Sequence, residues 1–455
     1  MRALIAFVLL LVAGCVAPGA GVTPQDAALA RDVVPAFPQE HDHLDPALHD
    51  AAQGLALVGS HTLTDVADAT APHGDWMTSE IIVKGDYAFI TYLGAPWLLA
   101  IVDVRDAAAP KLVAQWSTAN AWGMDLAADD VGDFVYVAVY PNAVGDVFTP
   151  GYTLGHLGAP DGINAPGIAV VDVRDKAHPT LSSFLPMHPL GPHTVGYHRY
   201  PDGREVVFGN HADVQVGNAV EITEVVDLPT GGKALRPLSY WWLDSPLATD
   251  QPHDVDAAEH PITGQTLLYV AYTFAGVAIV DITDPSQPTL VSRTQTMEGT
   301  PDELVHDIHP YPQLVDGRHY TVAAPEIITG DTSGTLRFYD TTDPAAPVMV
   351  GTWEMPGEYV TAEAFGFSTH NFVFMPDGRI ALAHGHAGVW LVDWLTSRGA
   401  SPVATAYYDA AFPDAAPPAW APVHGTPWYW GTGVDARGVL WANDIMGGLV
   451  SLGPT

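Results

Sequence analysis

The chain has 455 residues, with 52 acidic against 17 basic side chains and a formal net charge of −35. A surface of that sign repels phosphate backbones and anionic lipid headgroups, which excludes nucleic-acid binding, and it suits a salt-rich exterior where acidic groups keep a protein hydrated. A hydrophobic share of 48% is enough for one large core or for a closed series of small ones.

Met1-Arg2 is followed by an apolar run from Ala3 to Ala13 and then by Gly14-Cys15. One basic residue, a short apolar stretch and small residues before a cut describe a signal peptide, and the run falls short of the roughly 20 residues of a membrane span. Val12-Ala13-Gly14-Cys15 resembles the lipobox of prokaryotic lipoproteins, and Cys15 is the single cysteine of the chain. Residues 1–15 therefore read as a lipoprotein signal ending on a lipidated Cys15, which predicts a secreted, membrane-anchored protein at the cell surface. Residues 16–53, rich in Ala, Pro, Asp and Gly, read as a flexible tether carrying His41, His43 and His49.

From residue 54 to 455 one pattern recurs. It appears as Ile101-Val102-Asp103, Val170-Val171-Asp172, Val225-Val226-Asp227, Ile279-Val280-Asp281, Phe338-Tyr339-Asp340 and Leu391-Val392-Asp393, with successive aspartates 69, 55, 54, 59 and 53 residues apart. A proline-punctuated turn follows most copies, as in Asp284-Pro285-Ser286-Gln287-Pro288 and Asp343-Pro344-Ala345-Ala346-Pro347. A repeated unit of short Val/Ile/Tyr runs between Gly/Pro/Asp turns predicts an all-β, seven-bladed β-propeller of four-stranded blades. The aspartate that ends each third strand is placed to accept backbone N–H groups of the next turn, a structural task. A seventh unit beyond the last Val-Asp, with Gly438 to Asn443 as its return strand and Gly448 to Ser451 as its third, lacks an outer strand, and Leu55 to His61 has the pattern of one. The ring is thus expected to be closed by this N-terminal strand. These units resemble LVIVD repeats, which occur in secreted and surface propeller proteins; that resemblance implies the architecture and no activity.

The copies diverge where the inner strands begin. Four units place a histidine there, in Pro192-His193, Pro252-His253, Val305-His306 and Thr369-His370. The loop after each second strand reaches the same face of a propeller, and it carries His211, Glu326, His384 and His386. Two sets of ligand types therefore converge on one channel mouth. Imidazoles suit copper, iron or zinc, with His193, His253, His306 and His370 as the first metal ligands to consider. His211, His384, His386 and Glu326 stand as alternate ligands, orienting groups or acid–base groups. The competing reading is an adhesion or partner-binding scaffold, in which each histidine only bonds the neighbouring blade. A small molecule, a surface protein or a glycan remains the candidate partner. His198, His260, His309 and His319 read as surface or interblade residues, Trp241, Trp242, Trp428 and Trp430 as a carbohydrate platform or interblade wedges, and the Pro141 to Pro166 insertion as a lid or rim decoration.

Overall fold

A computed structural model describes residues 50–63, 77–93, 97–117, 121–141, 166–187, 191–211, 218–244, 250–294, 303–327, 334–356, 368–410, 427–445 and 447–455. Cys15, the apolar run before it and most of the 141–166 insertion lie outside them. The described residues fold into seven antiparallel sheets arranged as the blades of a β-propeller, and none of them is helical. Blades 1 to 6 span residues 77–116, 121–186, 192–241, 254–293, 303–354 and 372–410. Blade 7 is built from Tyr429–Val434, Leu440–Asp444 and Gly448–Pro454, and its outer strand is Leu55–His61.

The second and third strands of each blade face a neighbouring blade on both sides, so they read as continuous apolar runs. Every residue of Thr266–Tyr272 is buried, as are the first four of Leu99–Asp103. Outer strands such as Thr180–Pro186 are only partly covered. Aromatic wedges fill the widening gap between blades. Trp394, fully buried, lies with Tyr311, Tyr320 and Phe338 of blade 5 at ring centroids 5.0, 5.5 and 6.0 Å away.

The recurrent aspartates take the structural task expected of them. Asp103, Asp172, Asp281 and Asp340 each accept the backbone N–H two residues on, at 2.9–3.1 Å. The next aspartates along, Asp106, Asp175, Asp284 and Asp343, repeat the device. The rigid turn so formed is then gripped by the preceding blade: Ser239 Oγ donates to the Pro285 carbonyl and Ser292 Oγ to the Pro344 carbonyl, both at 2.6 Å. Ser451 Oγ of blade 7 does the same to Ala107 of blade 1, at 2.6 Å, which carries the seam across the closure.

Two features depart from the sequence expectation. Residues 50–53, assigned to the tether, form a strand, Asp50–Gln53, that adds a fifth member to blade 6 by pairing with Val403–Ala410. Gly54, at φ 73°, turns the chain from that strand into Leu55–His61. The inner strands are also less regular than the repeat suggests, with register shifts in blades 1, 2, 3, 5 and 7.

Closure depends on a close backbone approach at Gly59, where a Cβ would lie 2.3 Å from the Ala107 carbonyl oxygen. Gly59→Ala should cost about 1–3 kcal/mol by overpacking. Urea unfolding should show a lower midpoint with an unchanged slope; an unchanged midpoint would mean that the seam yields without cost.

Candidate metal centre

The ring brings four of the predicted histidines into one arc. His193, His253, His306 and His370 come from blades 3, 4, 5 and 6, and successive ring centroids are 4.5, 4.0 and 4.0 Å apart. Trp430 of blade 7 ends the arc, 4.0 Å from His370. His253, His306 and His370 are 6%, 4% and 5% exposed, so the arc is an interior feature.

Backbone geometry sets the position of His306 and hydrogen bonds orient His253 and His370. His306 occupies the register shift between Val305 and Asp307, and a bulge of this kind re-aims a side chain. Thr273 of blade 4, at φ 30°, accepts the Val305 N–H at 3.0 Å, which fixes the start of that strand. His253 donates from Nδ1 to the His306 carbonyl at 3.1 Å, and His370 from Nδ1 to the Trp430 carbonyl at 2.7 Å. Because a carbonyl only accepts, both rings carry their proton on Nδ1 and turn a bare Nε2 lone pair the other way. The His253 carbonyl is held in turn by Asn210 Nδ2 at 3.0 Å and by Thr194 Oγ1.

Glu326, at the end of the second strand of blade 5, completes the group. Its Oε2 is 3.7 Å from His306 Nε2, and one ligand atom each from His253, His306 and Glu326 lie within 4.8 Å of one another. All three are buried. Burial holds the histidines neutral: His193 falls to about 4, His370 to about 3, and His253 and His306 well below the ordinary value. Burial likewise lifts the Glu326 carboxyl to about 7. Three ring nitrogens, His193 Nδ1, His306 Nδ1 and His370 Nε2, are enclosed without a hydrogen-bond partner.

The other predicted ligands are elsewhere. His386 donates from Nδ1 to the Pro427 carbonyl at 2.6 Å and packs on Trp428; it and His384 are fully buried in blade 6 and outside the compact group. The His211 side chain lies outside the described residues. His198 and His260 bond carbonyls of the next blade, Ala257 and Thr341, as interblade residues should. Trp241, Trp428 and Trp430 are buried and only Trp242 of that set is exposed, so the four do not form a platform.

Sequence reasoning missed what lies beneath the arc. Glu80, Asp125, Asp254 and Asp307 line the shaft, and the Asp307 charge lies near enough to raise the proton affinity of the other three. Burial first, then these neighbours, push Glu80 and Asp254 well up, and Asp125 is pushed up to about 7. His309, half-buried, bridges Asp256 at 2.8 Å and Asp307 at 3.2 Å, which outweighs its desolvation, raises its proton affinity and keeps Asp307 low. The carboxylates also serve the fold: Asp125 accepts the Val195 N–H at 2.7 Å and Asp307 the Phe372 N–H at 2.9 Å, each tying one blade to the next. Asp254 and Asp307 directly follow two of the arc histidines in the sequence; Glu80 and Asp125 have no such neighbour to mark them.

Comparison with known proteins supports the architecture. The LVIVD-repeat family model matches residues 76–118 and 267–296, so the chain carries LVIVD repeats in blades 1 and 4. No curated protein matches the chain. A solved protein from Lactobacillus plantarum is 13% identical with a TM-score of 0.50, the match covering 73% of this chain and 85% of that one. The WD40 β-propeller domain of Doa1 is 10% identical with a TM-score of 0.49, covering 88% and 97%. Chaetomium thermophilum Raptor is 11% identical with a TM-score of 0.49; the match covers 89% of this chain but only 29% of Raptor. At 13% identity the Lactobacillus plantarum match concerns the fold alone.

The neutral histidines fix a pH dependence. Below about 6.5 the unfolded chain binds protons that folded His193 and His370 refuse, so stability present above that pH is lost toward pH 4. Glu326 acts oppositely: its folded value near 7 exceeds the ordinary 4.5, so its contribution is present at low pH and lost as pH rises through 7. In urea unfolding of the metal-free protein between pH 6 and 4, His370→Phe should flatten the slope by up to about 1.4 kcal/mol per pH unit, one proton's worth. A slope that the substitution leaves alone would show that His370 titrates freely when folded.

Proposed function

We propose that the propeller is a metal-binding surface lipoprotein, with a transition-metal ion held by His253, His306 and Glu326 at the channel mouth. The observation that carries this is the compact, buried group of two imidazoles and one carboxylate. An equilateral triangle of 4.8 Å side has its centre about 2.8 Å from each corner, so bond lengths near 2.1 Å need the ligand atoms to draw in by at most about 0.7 Å. The rings of His253 and His306, 4.0 Å apart, sit nearer than the about 5 Å of two imidazoles on one tetrahedral ion, so loading spreads the rings while their nitrogens converge.

The donor chemistry fits. His253 has its second nitrogen anchored on a backbone carbonyl, the support that orients most metal-bound histidines. Buried neutral imidazoles and a carboxyl with a raised proton affinity lose no charge partner when a cation enters, and the cation restores the ionised form of Glu326. Two histidines and one carboxylate are a donor set used by iron and by zinc, and copper accepts the same imidazoles. When bound with open positions, a redox ion of this kind supplies oxygen-activating chemistry, while the chain's own residues fix the donors and exclude water.

A second reading has its own observation. His253 and His370 each bond the carbonyl of the next blade, as a purely structural histidine would. Metal titration of the soluble domain separates the two. About one equivalent of copper, iron or zinc should bind, His253→Ala and His306→Ala should abolish tight binding, and Glu326→Gln should weaken it at least tenfold. Stoichiometry near zero, with the same variants merely less stable, leaves the scaffold reading.

Surface anchoring follows from the Val12-Ala13-Gly14-Cys15 sequence. Radiolabelled fatty acid should enter the wild-type protein expressed in a bacterial host and not the Cys15→Ser variant; equal labelling would place the lipid elsewhere or dismiss it.

A further inference from the structure

Three protein ligands leave a transition-metal ion with an open coordination position. What borders that position follows from the rest of the arc. His370 is 5% exposed and its ring lies 4.0 Å from that of His306, yet its nitrogens fall outside the compact ligand group. Its Nδ1–H is committed to the Trp430 carbonyl at 2.7 Å, and the Trp430 ring packs beside it, 4.0 Å away and tilted by 41°. The remaining Nε2 is a lone pair, enclosed, with no hydrogen-bond partner. Leaving an acceptor in that state costs about 1–3 kcal/mol, and folded proteins rarely tolerate it without a use for the group.

Resting on the metal reading above, we propose that His370 is a hydrogen-bond acceptor beside the ion's open position. The site then selects small protic ligands, those carrying O–H or N–H, over aprotic anions. His370 so placed would touch the exogenous ligand and leave coordination to His253, His306 and Glu326. The acceptor character is set by backbone geometry, since rotation of the ring would break the Nδ1–H bond to blade 7.

Cobalt(II) tests this in the full chain, because its visible spectrum reports both loading and ligand exchange. Wild type, His370→Ala and the volume-keeping His370→Phe would be loaded and titrated with hydrazine, which offers N–H groups, and with azide, which offers none. All three should retain one cobalt(II). Wild type should favour hydrazine over azide, and that ratio should fall about tenfold in both variants, the worth of one hydrogen bond. Loss of cobalt(II) from both variants, as in His253→Ala, would make His370 a ligand and overturn the proposal. So would an unchanged ratio, or a wild-type spectrum that neither probe alters. Failure of wild type itself to bind cobalt(II) would instead defeat the metal reading.

Discussion

Everything in this molecule rests on the pairing of Leu55–His61 with Gly448–Pro454. Seven wedge-shaped sheets can share a central shaft only if the last is locked to the first, and here the lock is a strand borrowed from the N-terminal side of blade 1. Hydrogen bonds along this strand satisfy an edge that would otherwise face solvent. The close approach of Gly59 to Ala107, and the Arg437 guanidinium bonding the Val104 and Arg105 carbonyls, then join blade 7 to blade 1. With the ring closed, residues hundreds of positions apart are forced onto one axis: Asn371 of blade 6 donates to Glu80 of blade 1 across Gly431, whose missing side chain leaves the passage open.

That convergence explains why the rim and the shaft differ. At the rim, the histidines are neutral because burial penalises their protonated forms, and at His253 and His306 the neighbouring imidazoles add to that penalty. One layer deeper, acidic groups crowd together, and only Asp307, with the His309 cation beside it, escapes the upward shift of its neighbours. A basic, uncharged lining therefore sits above an acidic one. The acidic bias of the composition, 52 acidic against 17 basic side chains, extends into the interior, where burial and crowding favour the protonated carboxyl.

The blade architecture was legible in the sequence because it depends on short-range chemistry. An aspartate after a Val/Ile strand makes the same turn wherever it falls, and Leu55 to His61 copies the outer-strand pattern closely enough to be recognised. The histidines at the strand starts were legible for the same reason. Asp50–Gln53 was not, since Asp-Ala-Ala-Gln has no alternation of its own and becomes a strand only because blade 6 offers an edge. Nor could the sequence rank Glu326 above His193 and His370 as a ligand. That ranking depends on distances of an ångström or two, set by the bulge at His306 and by which nitrogen each ring spends on a carbonyl. Glu80 and Asp125 were hidden by register shifts of the same kind, which break the link between position along a strand and depth in the shaft.

The fifth strand of blade 6 has a mechanical meaning. It lies between the first 49 residues and the strand that closes the ring, and it belongs to no part of the closure itself. A pull transmitted through the N-terminal segment arrives first at Asp50–Gln53, an edge strand of four residues. Held by four residue pairs against the six of the lock behind it, this strand is the weaker of the two in series. In chain order the edge strand is a clip in series with the latch, and a force applied from the N-terminal side would load the clip first.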